Sequence, residues 1–530
     1  MTTAILPAAG DLVTEASRRR TFAVISHPDA GKSTLTEALA LHARAIGSAG
    51  AVHGKAGRKG VVSDWMTMER ERGISITSAA LQFEYEGTVV NLLDTPGHAD
   101  FSEDTYRVLT AVDCAVMLLD AAKGLEPQTL KLFDVCRHRG IPVITVVNKW
   151  DRPGKHALEL CDELESRIGL RPTPLTWPVG EAGHLEGLLD RRSGRMLRFA
   201  RTAGGATVAA QEELSPARAE SEHGESWRVA VDEAGLLDDL DLDSFLAGRS
   251  TPILFGAAVL NIGVRQLLDT LVELAPTPSA RPDVEGNLRS VDAPFSGVVF
   301  KVQAGMDSAH RDRVAFVRVC SGRFERGMVV THATSGRPFA TKYAQAMFGR
   351  DRDTVDLAYP GDIVGLVNAS TLTAGDTLHA DGAPVRFPGM PSFAPEHFAV
   401  ARAKDSGRSK QFRRGITQLE QEGVVQVLRS DLRGDAAPVL AAVGPLQFEV
   451  SAHRMEHEFR SPVQLEYLAY SLARLTRTED APAVDAERGV EVVYRSDGAP
   501  LALFPDRWRL DTVRRQHPDA VLEPLVAGTS

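Results

Sequence analysis

Short apolar runs rich in β-branched residues alternate with amphipathic stretches through the first 275 residues of the chain. Such alternation is typical of βαβ units around a mostly parallel sheet. It predicts strands at TFAVIS, ITSAALQFEYE, TVVNLLD, CAVMLLD, PVITVVN and PILFGAA. It predicts helices from residue 32 to about 47 and over 126–139, 156–168 and 264–274. The turn Glu86-Gly87 indicates a hairpin that adds one antiparallel strand to the sheet.

Two proline-rich segments, APTPSARPD (275–283) and DGAPVRFPGMPSFAP (381–395), divide the rest of the chain. Proline restricts the backbone and removes a hydrogen-bond donor, which suits linkers. Between the segments, the alternating runs FSGVVFKVQ, VAFVRVCSG and DIVGLVN predict a small β-barrel. After the second segment, helical patterns over 411–428 and 446–459 mix with the strand-like runs VLAAV and VEVVYR, which predicts an α+β unit.

The chain of 530 residues is long enough for several domains. The pattern predicts an N-terminal tail over 1–19, an α/β domain over 20–279, a β-barrel domain over 280–388 and an α+β C-terminal domain over 389–530. The polar, weakly periodic stretch near 205–245 is interpreted as an acidic insertion on the first domain.

The formal net charge of −10 argues at first against a nucleic-acid partner, since phosphate contacts need clustered Lys and Arg. Residues 211–250, however, hold eleven acidic and three basic residues, so this segment carries −8 and the rest of the chain only −2. The net charge therefore no longer argues against a nucleic-acid partner. The four cysteines form no CxxC pair, and no apolar run approaches 18 residues. We expect a soluble, cytoplasmic protein with no membrane partner.

The segment from Ser26 to Thr34 lies between the first predicted strand and the first predicted helix. It consists of Ser26, His27, Pro28, Asp29, Ala30, Gly31, Lys32, Ser33 and Thr34. Small residues there let backbone N–H groups wrap a phosphate at a helix N-terminus. Lys32 would reach the β and γ phosphates, and the Ser33 hydroxyl would bind Mg²⁺. The usual first glycine of such loops is Ser26 here.

Two further motifs end predicted strands. They are Asp94, Thr95, Pro96, Gly97 and His98 after TVVNLLD, and Asn148, Lys149, Trp150 and Asp151 after PVITVVN. Asp94 can hold Mg²⁺ through water, and the Gly97 amide can sense a γ-phosphate. The Asp151 carboxylate can accept hydrogen bonds from the N1–H and N2–H₂ groups on the edge of guanine. Adenine lacks these donors. Open α/β sheets bind ligands where their strands end, so the three motifs together predict a GTP site.

These motifs resemble those of the translational GTPases, and within them the class-II peptide release factors (the release factor 3 family). The DTPGH form is typical of the ribosome-associated group, and residues 63–77 resemble its first switch. The stretches NLLDTPGHADFSEDTYRVLTAVDCAVMLLDAAKG, HRDRVAFVRVCSGRFERG, YPGDIVGLVN and VGPLQFEV also match the family. The resemblance therefore spans all three predicted domains, and it implies an α/β P-loop GTPase domain, a β-barrel domain and an α+β domain.

The resemblance also implies roles by position. GTP/GDP and Mg²⁺ would be the cofactors, with Ser33, Ser75 and, through water, Asp94 near the metal. His98 would position the attacking water as the catalytic residue, and Ile74 would help to form an apolar gate around it. The fifth guanine-contacting loop would lie at Gly256-Ala257-Ala258, where Ala257 and Ala258 could offer only backbone contacts.

The implied function is a ribosome-dependent GTPase that acts in translation termination and releases a class-I peptide release factor from the ribosome. Ribosomal RNA, ribosomal proteins and that factor would be the partners of a monomeric chain. Alternatives are another translational GTPase, such as an elongation-factor-G-like or ribosomal protection protein, a GTP-dependent binding switch with little catalysis, and a P-loop kinase. From Arg402 to Arg414, six cations face one acidic residue, which indicates either a solvated face or a ribosome contact.

Overall fold

The computed structural model describes residues 9–43, 80–96, 102–200, 208–304, 313–348, 351–367, 369, 371–390, 394–430, 432–434 and 436–525. The strands up to residue 255 are β1 (Arg19–Ser26), β2 (Ala80–Tyr85), β3 (Thr88–Asp94), β4 (Cys114–Asp120), β5 (Val143–Asn148), β6 (Arg171–Pro174), β7 (Thr176–Val179), β8 (Gly187–Asp190), β9 (Arg195–Phe199), β10 (Gln211–Leu214) and β11 (Ser250–Phe255). The α-helices up to residue 274 are α1 (Ala9–Ser17), α2 (Lys32–His42), α3 (Ser102–Leu109), α4 (Pro127–His138), α5 (Ala157–Ile168), α6 (Pro216–Gly235), α7 (Leu242–Leu246) and α8 (Val264–Leu274).

A seven-stranded sheet with the order β2-β3-β1-β4-β5-β11-β6 forms the centre of this part. Only β2 runs antiparallel to its neighbour, and the predicted hairpin is confirmed: Tyr85 pairs with Thr88 around Glu86-Gly87, where both turn residues have positive φ. Both faces of the sheet are covered. In β1, Phe22 packs in one apolar cluster with residues of α2 and α8, whereas Ala23 packs in another with residues of α3, α4 and α5.

The region from 175 to 245 contains elements that the sequence pattern did not predict. It contains a four-stranded antiparallel sheet, β10-β9-β8-β7, and the 20-residue helix α6 packed against it. Gly224 has non-helical angles (φ 50°, ψ −113°) in the middle of that helix. The buried residues Ala219, Trp227, Ala230 and Ala234 nevertheless recur at helical spacing on both sides of this glycine. Because most of the other residues in the segment are polar, its apolar pattern is weak although the segment is helical.

The middle of the chain is an antiparallel β unit around one apolar core. Its strands are β12 (Arg281–Pro282), β13 (Leu288–Arg289), β14 (Ser296–Ala304), β15 (Arg313–Ser321), β16 (Phe324–Glu325), β17 (Val329–His332), β18 (Pro338–Ala340), β19 (Ala344–Phe348), β20 (Asp351–Thr354), β21 (Leu357–Ala358), β22 (Ile363–Val367) and β23 (Thr377–Ala380). Eight of them pair in the order β18-β17-β23-β14-β15-β22-β19-β20. Phe300 of β14 and Phe316 of β15 belong to the same apolar cluster as Tyr106 of α3, so this unit and the first share a core.

The C-terminal part is α+β, as predicted. Its strands are β24 (His397–Ala403), β25 (Gln426–Leu428), β26 (Val439–Ala442), β27 (Val463–Tyr467), β28 (Leu472–Leu475), β29 (Glu491–Tyr494), β30 (Pro500–Phe504) and β31 (Glu523–Pro524). Its α-helices are α9 (Ser409–Glu422), α10 (Leu446–His457), α11 (Ala481–Asp485) and α12 (Arg507–Gln516). The strands form two sheets, β25-β26-β24-β27 and β29-β30-β28-β31. The fold class predicted from the sequence is confirmed in its three parts.

Three predicted elements end elsewhere. The helix predicted from residue 32 to about 47 ends at His42, with Ala43 as its C-cap. The helix expected over 411–428 stops at Glu422, because Gly423 takes the left-handed C-cap conformation (φ 74°) and strand β25 follows. Part of the expected tail over 1–19 is helix α1, and Arg19 already belongs to β1. The buried Arg19 side chain pairs with Glu15 at 2.8 Å and with Asp362 of the middle unit at 2.8 Å. This end of the chain is therefore fixed to two units.

Polar contacts join α3 to the other two units. The buried Arg318 of β15 donates to the carbonyl oxygen of Ala111 at 2.7 Å, just after α3. Arg107 of α3 donates to the carbonyl oxygen of Glu422 at the end of α9, at 3.3 Å. The Glu422 carboxylate in turn pairs with the buried Arg454 of α10 at 2.8 Å. The helix that follows the DTPGH segment thus contacts both the middle and the C-terminal unit.

All four cysteines are reduced and buried. Burial raises the pKa of the Cys114, Cys136 and Cys161 thiols above the usual range. These thiols are therefore protonated near neutral pH and weak nucleophiles. No helix in the described part of the chain has the length and apolarity needed to cross a membrane.

Candidate functional site

The loop between β1 and α2 has the geometry of an anion site. Gly31 caps α2 in the left-handed region (φ 96°, ψ 25°), and Asp29 has φ 66°. Aspartate tolerates that region better than most residues with a side chain. The first four N–H groups of a helix have no partner within it, and the helix dipole favours negative charge at this end. The loop can therefore hold a phosphate.

The backbone at position 26 does not require a glycine. Ser26 is the last residue of β1, in register with Leu118 of β4, and it is absent from the positive-φ residues in the described part of the chain. Regular strand geometry suits any residue, so serine replaces the usual glycine without strain. Its neighbour His27 is buried with Nδ1 2.7 Å from Glu126 Oε2. Burial lowers the pKa of His27 and the Glu126 carboxylate opposes this shift, so the imidazole is mostly neutral at pH 7.

The remaining loop residues lie in the first turn of α2 or just before it. Lys32 is buried, with its Nζ 3.9 Å from Oδ1 of the fully buried Asp94 at the end of β3. Ser33 is half-buried, and Thr34 is exposed. Ala30 is buried, and Pro28 is half-buried. Lysine and carboxylate thus meet where β1 and β3 end, as the two motifs predict.

Gly31→Ala is expected to weaken GTP binding at least tenfold. A Cβ on Gly31 would lie 2.5 Å from Nδ2 of the buried Asn148, and the left-handed backbone adds strain of about 1–2 kcal/mol. Nucleotide titration and thermal unfolding measure the two effects. Gly140→Ala is the matched control, because Gly140 has φ 64° but no atom within 4 Å of its would-be Cβ. Equal losses in both variants would show that strain alone, not the contact with Asn148, acts here.

The end of β3 provides the second motif. The Thr95 hydroxyl donates to the carbonyl oxygen of Val24 at 2.6 Å, and the Thr95 N–H donates to Asp94 at 3.0 Å, which fixes the motif against β1. Pro96 is buried. Gly97, His98, Ile74 and Ser75 lie outside the described residues. The Ser33 hydroxyl and the Asp94 carboxylate are the hard oxygen ligands that Mg²⁺ prefers, so the donor set fits this ion.

The third motif is built around Asn148 and Lys149. The Asn148 side chain donates to the carbonyl oxygen of Ala30 at 2.8 Å and accepts the N–H of Ala258 at 2.9 Å. It therefore holds the phosphate loop and the loop after β11 together. Lys149 Nζ donates to the Asp29 carbonyl oxygen and lies 2.9 Å from Asp120 at the end of β4. Although burial raises the pKa of Asp120, Lys149 and the Ala122 N–H hold it below its usual range.

Trp150 and Asp151 complete this motif. Trp150 is buried, its ring packs edge-on against Phe255 with centroids 5.0 Å apart, and its indole N–H donates to the carbonyl oxygen of Gly180. Asp151 Oδ1 is buried and has no hydrogen-bond partner among the residues that the structure describes. A buried carboxylate oxygen needs a donor. A guanine N–H would supply one, so the geometry supports the predicted role of Asp151.

The loop after β11 is closed on itself. Ala257 N–H donates to the carbonyl oxygen of Ile262 at 3.1 Å, and Ala258 N–H is taken by Asn148. The backbone donors predicted to contact guanine at Ala257 and Ala258 are thus occupied within the protein. A base that used the Ala258 N–H would first have to displace the Asn148 amide oxygen.

Sequence reasoning missed the partners that orient these motifs. Asp120 holds Lys149, and Glu126 lies beside His27. The available signal was position: Asp120 ends the strand CAVMLLD at the same sheet edge as Asp94 and Asn148.

Comparisons with known proteins agree along the whole chain. Residues 17–277 match the elongation factor Tu GTP binding domain, residues 294–381 match elongation factor G domain 2, and residues 387–514 match the C-terminal domain of class II release factor RF3. A crystal structure of a Thermus thermophilus protein is 20% identical, covers 91% of this chain and 71% of its own, and superimposes with a TM-score of 0.68. That likeness shows a shared fold.

Curated relatives are much closer in sequence. Peptide chain release factor 3 of Symbiobacterium thermophilum is 46% identical, and the match covers 96% of this chain and 98% of that protein. The protein of the same name from Gloeobacter violaceus is 45% identical over 96% of this chain and 97% of its own. That from a Cyanothece species is 44% identical over 98% of both chains. The chain therefore belongs to the peptide chain release factor 3 family of GTPases.

Proposed function

We propose that this chain is a ribosome-dependent GTPase of translation termination. With GTP bound it engages a ribosome that still holds a class-I release factor, promotes departure of that factor, and leaves after hydrolysis. The observation that carries the proposal is the meeting of the phosphate loop, Asp94 and Asp151 at one sheet edge. In this family, a site that selects guanine and holds a triphosphate acts as a switch.

Different residues of the site contribute to different parts of the reaction. The N–H groups of residues 29–34 and the Lys32 ammonium hold the β and γ phosphates, and Asp151 selects guanine. Mg²⁺, when bound near Ser33, Ser75 and Asp94, would neutralise charge on the phosphates. His98 orients the attacking water, and the Gly97 amide contacts the γ-phosphate. Positioning and electrostatics of this kind account for most of the catalysis in phosphoryl transfer.

The direct test measures phosphate release from GTP and from ATP, with and without ribosomes, under multiple turnover. We expect turnover with GTP alone and strong stimulation by ribosomes. Release of a labelled class-I factor from terminating ribosomes then tests the termination role. GTP binding without turnover would instead support a binding switch, and stimulation without factor release would support another translational GTPase.

The exposed cations of the C-terminal unit are candidates for ribosome contact. This 402–414 basic surface consists of Arg402, Lys404, Arg408, Lys410, Arg413 and Arg414, all exposed. Arg408 pairs with Asp405 at 3.2 Å, whereas Lys410, Arg413 and Arg414 form no ion pair within the described part of the chain. Unpaired cations on one helix face suit RNA phosphates.

Neutralising Lys410, Arg413 and Arg414 to Gln is expected to weaken ribosome binding and to flatten its salt dependence. Each lost phosphate contact lowers the slope of log K against log salt by about 0.9 for duplex nucleic acid. The control neutralises Arg198, Arg218 and Arg228. This removes the same charge, but these three arginines pair with carboxylates of the first domain. An unchanged slope in the first variant would exclude this surface as a phosphate contact.

A further inference from the structure

A second basic surface lies at the other sheet of the C-terminal unit. Helix α12 begins after Asp506, whose side chain accepts the N–H of Arg509 at 2.7 Å, and it buries Leu510 and Val513. Its solvent face carries four large side chains at helical spacing: Arg507, Trp508, Arg514 and Arg515. Together with Arg474 of β28, these four residues form what we call the Arg474–Trp508 surface.

The arginines of this surface outnumber the acids that pair with them. Asp511, on the same face of α12, pairs with Arg514 at 3.9 Å, and Arg514 also donates to the carbonyl oxygen of Leu522 at 2.8 Å. Arg515 donates to the Thr512 hydroxyl at 3.1 Å, and Arg507 has no ion pair or hydrogen bond within the described part of the chain. By contrast, Arg509 on the inner side pairs with Glu487 at 2.8 Å, and Arg477 pairs with Asp480 at 2.7 Å. Carboxylates thus neutralise these two neighbouring arginines, whereas the four arginines of this surface have one paired acid, Asp511, and keep a net positive charge.

Arg474 shows the cost of this arrangement. Its guanidinium donates to the Ala473 carbonyl oxygen at 2.7 Å, while its Nε is buried with no hydrogen-bond partner among the described residues. Burial lowers the pKa of Arg474, and the positive charges of Arg514 and Arg507 lower it further. An anion bound among these three side chains would relieve the repulsion between their charges.

Trp508 is the second observation. Its side chain is 71% exposed, whereas Trp150, Trp177 and Trp227 are all buried. On the helix it lies one position from Arg507 and within one turn of Asp511 and Thr512. An exposed indole beside arginines provides a flat apolar face next to positive charge. Proteins that bind single-stranded nucleic acid use this combination, with bases stacked on the ring and phosphates on the cations.

We propose that the Arg474–Trp508 surface binds single-stranded RNA, with phosphates on Arg474, Arg507 and Arg514 and one unstacked base on Trp508. Acidic peptide side chains would satisfy the arginines but would not use the indole face, whereas a base uses it. The choice of RNA over DNA rests on the proposed function, since a ribosome partner presents RNA. Single-stranded loops are where proteins reach unstacked bases, so a loop or bulge fits better than a duplex.

The test uses the full chain in the Lys410, Arg413 and Arg414 to Gln background, so that the 402–414 basic surface does not contribute. A labelled uridine 12-mer is titrated without ribosomes or nucleotide, and binding is followed by anisotropy and by quenching of tryptophan fluorescence. Trp508→Leu is expected to weaken binding about tenfold, in line with the value of one stacked base, and to remove the quenching. Arg474→Gln with Arg507→Gln should lower the salt slope by about 1.4.

Arg477→Gln is the matched control, because Arg477 lies in the same unit but pairs with Asp480. Thermal unfolding of each variant checks that the unit still folds. Unchanged RNA affinity and quenching in Trp508→Leu would overturn the proposal. Equal competition by polyglutamate would assign the surface to an acidic protein, and equal binding of an RNA duplex would exclude the unstacked base. A DNA 12-mer that binds better than RNA would overturn the choice of RNA. Because ribosome-stimulated GTP turnover is measured separately, failure here leaves the proposed function standing.

Discussion

Asp151→Asn is expected to weaken GTP binding by about 10²–10⁴-fold. Two hydrogen bonds from guanine N–H groups to a carboxylate contribute about 1.5–3 kcal/mol each, and every 1.4 kcal/mol is tenfold in affinity. The asparagine amide would in addition place an N–H₂ group against the N2–H₂ of the base. Xanthosine triphosphate has an oxygen at that position, so its binding should improve in the variant. Competition with a fluorescent nucleotide measures both affinities.

The control for this prediction is Asp239→Asn, since the Asp239 side chain is 93% exposed and lies on the first domain outside the three motifs. It removes the same charge without removing a guanine acceptor. If Asp151→Asn bound GTP as tightly as the unmodified chain, the buried oxygen of Asp151 would need another explanation, and the guanine assignment would fail.

His98→Ala is expected to lower ribosome-stimulated GTP turnover by about 10²–10⁴-fold, the range typical of a positioned acid–base or water-orienting side chain. GTP affinity should change little, because the proposed role concerns only the attacking water. Single-turnover hydrolysis at saturating ribosomes separates the chemical step from binding. His138→Ala, an exposed histidine at the end of α4, is the control. Unchanged turnover in His98→Ala would remove this residue from the mechanism.

The local sequence pattern was sufficient to predict an element where that element's own residues determine its bounds. The bounds of α8, Val264–Leu274, follow from its apolar spacing, and the β2–β3 hairpin follows from Glu86-Gly87. The pattern failed in two other places. Helix α6 was not predicted because its sequence is mostly polar, and Gly423 ends α9 earlier than the amphipathic pattern does. The end of α9 reflects a left-handed glycine, which hydrophobic spacing alone does not show.

In the candidate site, motif order was readable but the contacts between motifs were not. Asn148 was predicted only as a member of the motif that selects guanine, and the structure shows that its amide bridges Ala30 and Ala258. The Lys149–Asp120 pair joins the ends of two neighbouring strands, although the two residues are far apart in the chain. The contact of Arg107 with Glu422 spans 315 residues. Such pairs depend on how the units pack, which no local sequence pattern encodes.

The buried cysteines make the chain well suited to site-specific labelling. Maleimide dyes react with exposed thiolates, and all four native thiols are shielded from them. A single cysteine introduced on an exposed residue of the first domain and another on the C-terminal unit would therefore be labelled without deleting any native thiol. Energy transfer between the two dyes could then follow, in one molecule, whether the C-terminal unit changes its distance from the GTP site during turnover.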